Sequence, residues 1–151
     1  MAIQKLTELG STLLKGIDAL QSVFLLALRL WLAKIFFMSG LTKFKSWEST
    51  LQLFEYEYNV PVIPFDIAAY LATAAELVIP VCLVVGLLTR LNAVALFALN
   101  YVAMISYPDI SIAGEKDHIM WGIAILAIFL FGPGKAALDH FIWKKLTAQV
   151  A

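Results

Sequence analysis

The stretch "LRLWLAKIFFMSGLTK", residues 28–43, decides the fold. It is apolar enough to be the heart of a membrane-spanning helix, yet it holds Arg29 and Lys34. A charge at the bilayer centre costs about 2.5–3.5 kcal/mol on insertion scales. The two cations must therefore be paired, reach a surface or serve a site. The rest of the chain agrees with a membrane setting: its 151 residues are 62% hydrophobic, against ~45–50% for soluble domains. The mean hydropathy is +0.85, so one integral membrane domain is expected.

Composition excludes several classes. The 11 basic and 11 acidic residues balance without a basic run, so no nucleic-acid partner is expected. The single cysteine, Cys82, excludes a CxxC pair or an internal disulfide. With only His118 and His140 and no Cys/His cluster, no metal site is expected. Residues 1–20 are too polar for a signal peptide's apolar core. Within residues 1–21, Leu6, Leu9, Leu13, Ile17 and Leu20 recur at helical spacing between charged residues. That segment is either an amphipathic helix along the membrane surface or the frayed start of the first span.

Residues 22–151 form the membrane domain, with spans expected at about 22–41, 66–86, 91–107 and 112–132. The fourth has too few apolar residues between Ile119 and Phe131, and "GPG" (132–134) stops it firmly. It must extend back to about Ile112, drawing "EKDH" (115–118) below the surface. The expected architecture is an all-α, four-helix integral membrane bundle. One side holds Lys5, Lys15, Arg90, Lys135, Lys144 and Lys145, the other Lys43, Lys45 and Lys116. The positive-inside rule then places both termini in the cytoplasm. In the first outer loop Trp47, Leu51, Phe54 and Tyr58 share a face. They mark a short interfacial helix lidding the bundle, or an ordinary aromatic belt.

Counting helix rise from the cytoplasmic end of each span puts Arg29 at about 12 Å, Asn100 at about 13 Å and Glu76 at about 15 Å. Arg29 with Glu76 is the natural ion pair, with Asn100 beside it. Pro80, four residues after Glu76, frees the Glu76 carbonyl. Higher up lie Lys34, Asp117 and His118, and Lys43 ends the first span. Arg29, Phe36, Gly40 and Lys43 share one stripe, with Gly40 as a gap that opens a pocket. Lys34 lies off that stripe and is expected to snorkel to the outer headgroups, or to face a second subunit. The alternative for the whole set is polar glue between helices, or solvated charge for Lys43, Asp117 and His118.

The pattern resembles the DoxX family of small bacterial four-helix membrane proteins over about residues 24–139. The first span carries the family's arginine, glycine and lysine as Arg29, Gly40 and Lys43. "VPVIP" (60–64) leads to a span with central Glu76, and "GLLTR" (86–90) makes the next turn. "DHIMW" (117–121) precedes the last span, and "GPGKAALD" (132–139) closes it. Ala137 replaces the usual serine, and Lys34 stands where the family is apolar. The resemblance implies the bacterial inner membrane and, in some members, a quinone-linked, thiol- or sulfur-redox or detoxification complex. On that reading the chain is the membrane subunit of such a complex. If it is catalytic, it belongs to a quinone-linked oxidoreductase with Glu76, Asp117 and His118 handling protons. Arg29, Lys43, Gly40, Asn100, Phe36 and Trp121, with Phe37, would bind a quinone or small anion. The competing reading is a non-catalytic scaffold or chaperone subunit that anchors a partner protein, or a homo-oligomer, in the bilayer.

Overall fold

The computed structural model describes residues 2–150, excluding the side chains of Ala2, Ile3, Leu6, Gln149 and Val150. Leu6, one of the amphipathic positions above, thus lies outside the described side chains. The described chain is all-helical, with no strand: α1 (Ala2–Lys45), α2 (Trp47–Tyr56), α3 (Phe65–Val85), α4 (Thr89–Ser106), α5 (Ile112–Phe131) and α6 (Leu138–Val150). α1, α3 and α4 are long and apolar enough to cross a membrane. α5 has comparable length, 20 residues, but carries Glu115, Lys116 and Asp117 in its opening turns.

The helix ends follow local chemistry. Pro64 leads into α3, whose first turn holds Asp66 against the positive end of the helix dipole. α3 ends where Gly86 turns left-handed at φ 73°, and its N–H returns to Cys82 O at 2.9 Å. α5 begins at Ile112, where the Ser111 hydroxyl accepts from Gly114 N at 3.1 Å. The Asp139 carboxylate caps α4 from 50 residues away, accepting from Leu88 N at 2.8 Å and Thr89 N at 2.7 Å. That cap holds Leu88 in its left-handed turn, φ 46°.

α1 is longer than any other helix among the described residues. It runs without a break for 44 residues, about 66 Å. The N-terminal segment is thus continuous with the first span, and Leu9, Leu13, Ile17 and Leu20 on it are 59–71% exposed. α1 packs along α3, α4 along α5, and the α3–α4 seam is looser. The core between them is Leu32, Phe36, Leu83, Ala93, Leu96, Ala124, Ile125 and Ile128. The stripe on α2 is buried against α3 rather than free. Phe54, with Trp47, Leu51 and Tyr58, covers Ala68 and Ala69 of α3, and the Trp47 and Tyr70 rings meet at 4.4 Å.

Candidate functional site

The polar residues form two clusters at opposite ends of the molecule. At the α6 end Arg29 is fully buried, donating to Leu83 O at 3.2 Å and to Ala136 O. The loop after α5 closes over it, and Asp139 supplies opposite charge nearby. Gly86 is required here: a Cβ would collide with the Arg29 guanidinium and with Ala137. Arg29 therefore ties together α1, the end of α3 and the "GPGKAALD" loop.

The expected Arg29–Glu76 pair does not form. Glu76 instead takes Lys43, whose ammonium donates to both carboxylate oxygens at 2.9 and 2.7 Å and to Ser39 Oγ at 2.8 Å. This is the one ion pair among the described residues, with side chains 14% and 8% exposed. The register of two antiparallel helices explains the difference. Gly40 lies against Glu76, and Arg29 against Leu83 and Gly86, so each step up α1 is a step back along α3. Eleven residues, about 16 Å, separate the two levels. The depth count started α1 at residue 22, but a continuous helix marks no such origin. Arg29 actually sits at the end of α3.

Gly40 is likewise not a gap. A Cβ there would lie 2.9 Å from the Glu76 Cβ and 3.1 Å from its backbone carbon. The glycine lets α1 and α3 touch, as small residues do between membrane helices, and brings the Glu76 backbone under Lys43.

His118 does reach the Lys43 end of the molecule, held by Asn100. The Asn100 amide donates to His118 O at 2.9 Å, and its oxygen faces His118 Nδ1 at 2.9 Å. Turning the amide over would set two oxygens against each other, so Nδ1 carries the hydrogen and Nε2 the lone pair in the neutral ring. The His118 ring meets Trp121 edge-on at 4.8 Å, and Trp121 meets Phe36 at 5.7 Å.

Phe36, Ser39, Lys43, Tyr58, Glu76, Tyr107, His118 and Trp121 line one cavity of about 320 Å³ between α1, α4 and α5. A second, about 380 Å³, lies between α3 and α4 and shares Lys43, Tyr58, Glu76, Leu99 and Ala103 with the first. Burial first, and the Glu76 charge second, push the Tyr58 phenol above its ordinary value, so it stays protonated and able to donate. Tyr58 also stacks edge-on against Tyr107 at 5.4 Å.

Of the residues expected at a site, the fold thus gathers Lys43, Glu76, Phe36, His118 and Trp121 around one cavity, with Asn100 behind the histidine. Arg29 is at the far end, Gly40 is a helix contact, and Asp117 is exposed on α5. Lys34 is exposed on a shallow groove with Phe37 and Pro80 on the other side of α1 and α3. By register it lies level with Val81 and Cys82 of α3. Sequence reasoning missed Ser39, Tyr58 as a cavity residue and Tyr107. Ser39 stands four residues before Lys43, one turn below it, which is the signal that was available.

Apolar helices long enough to span and a buried ion pair among them define an all-helical membrane protein. The DoxX family model matches residues 24–108, and the chain belongs to the DoxX family. An uncharacterized protein of Haemophilus influenzae is 35% identical over 130 residues, 81% of this chain and 85% of that protein. No solved structure matches.

Proposed function

We propose that α1, α3, α4 and α5 form a four-span bundle in the bacterial inner membrane with both termini cytoplasmic. In this reading the α1–α4–α5 cavity takes the ring of a quinone-type ligand, and the chain is the membrane subunit of a redox-linked complex. The observation that carries the reading is the Lys43–Glu76 pair, seated in a cavity walled by aromatic rings and His118. Lys43 is already balanced by Glu76, so the pair leaves the cavity no net charge to satisfy. An anion would leave an uncompensated charge in a low-dielectric site, which costs several kcal/mol. A neutral ring with carbonyl acceptors suits it better than a small anion. Ser39 and the protonated Tyr58 offer hydrogens to such carbonyls, and His118 Nε2 offers a site for a proton. Electrons would come from a partner protein.

Protein purified in mild detergent should retain quinone, and His118→Ala with Tyr58→Phe should lose it. Wild-type protein that neither retains nor binds quinone sinks the reading. Orientation is testable in a Cys82→Ser background: Gln52→Cys should label from outside the cell and Lys144→Cys should not.

A second reading, a scaffold for a partner protein, is favoured by the exposed Phe141, Ile142, Trp143 and Leu146 of α6. A stable partner recovered without any ligand would support it.

A further inference from the structure

The cavity between α3 and α4 has an unusual wall. Ala72 and Ala75 of α3 face Ala95 and Ala98 of α4 across it. Small residues between membrane helices normally let the backbones close up, but here they border open space. Ala95 and Ala98 are themselves exposed, so the space communicates with the lipid-facing side of the molecule. At its α2 end sits Ser106, 2% exposed, whose hydroxyl has no hydrogen-bond partner. Buried polar groups are ordinarily satisfied, and this one lines the cavity. From Ser106 to Ala95 the wall runs about 16 Å along α4. Its inner edge is the Lys43–Glu76 pair, which is also an edge of the aromatic cavity.

We propose that the two cavities hold one amphiphilic ligand that enters from the bilayer between α3 and α4. Its polar ring lies beside Lys43, Glu76 and His118, and its hydrocarbon chain lies along the alanine walls. This rests on the quinone-ring reading above and adds the ligand's chain and its route. Hydrocarbon gains little by leaving lipid for an apolar protein groove. The chain site therefore sets orientation and entry, and a chain that cannot fit there holds the ring out.

The test uses the full chain in lipid nanodiscs. The probes are 2,3-dimethoxy-5-methyl-1,4-benzoquinone without a chain and with a decyl chain. Binding is read as the saturable part of the tryptophan fluorescence quenching. Wild type should bind both. Ala72→Phe and Ala98→Phe should each weaken the decyl quinone about tenfold or more, leaving the chainless one unchanged, which also shows that the variants are folded. Val78→Phe, on an exposed face of α3 outside the cavity, should alter neither. If the alanine variants affect both quinones equally or neither, the chain site is overturned while the ring reading stands. If wild type binds neither quinone, the ring reading fails and this proposal with it.

Discussion

Arg29 and Lys43 sit on the same helix, both in apolar surroundings, and they solve the problem of a buried charge in opposite ways. Arg29 spreads its charge over backbone carbonyls at Leu83 and Ala136, where Gly86 and Ala137 crowd its guanidinium. Lys43 meets a carboxylate, and cavities open on either side of the pair. A cation held by fixed carbonyls is a staple. A cation paired with a carboxylate is neutralised, and an uncharged ligand can seat beside the pair without stranding either charge. Proximity of charges along a helix does not separate these two cases, but the space around them does.

The contrast between the two cations breaks most sharply through the ion pair. Lys43→Met or Glu76→Leu alone strands a charge and should cost about 3–5 kcal/mol in a detergent unfolding titration, with the double mutant recovering part of it. Arg29→Leu combined with Glu76→Leu should instead add within about 0.5 kcal/mol, since the sites share no partner. Coupling between Arg29 and Glu76, or none between Lys43 and Glu76, would overturn the assignment of the two clusters.

Gly40→Leu comes next. It forces side-chain atoms against the Glu76 backbone and should destabilise by about 1–3 kcal/mol, visible as an earlier unfolding midpoint. An unchanged midpoint would restore the view of Gly40 as open space. At the other end, Asp139→Ala removes the cap from α4 and should cost about 0.5–2 kcal/mol. Ligand binding at the Lys43 end should survive it, and a loss of binding would show that the two clusters are not independent.

The smallest effect is in pH. Tyr58 has its folded-state value raised by burial and by Glu76. Its contribution is therefore fully present below the ordinary phenol range, about pH 10, and is lost as pH rises through the higher folded-state value. Wild type should lose stability on alkaline titration more than Tyr58→Phe does. Identical alkaline profiles would place Tyr58 in a more solvated setting than the structure gives it.

By itself the sequence determined what depends on neighbours along the chain. Apolar runs, the Pro64 entry, the Gly86 turn and the "GPG" stop set α3, α4 and α5 close to where they are found, because helix ends answer to local capping and turn chemistry. Even the backward extension of α5 to Ile112 followed from counting residues against a required length. Lys43, Glu76 and His118 stand out in the sequence as polar groups in apolar helices, and Phe36 by sharing the Lys43 stripe. What the sequence left open was the offset between helices. Helix rise fixes distances only within one helix, and α1 carries no mark of where α3 begins to face it. That offset is decided by tertiary contacts: Gly40 seated on Glu76, Arg29 under Gly86 and Asp139 across from α4. A shift of about nine residues exchanged the partner of Glu76 from Arg29 to Lys43. With it Arg29 became a fastening, and Gly40, which looked like an opening, became the point of closest contact.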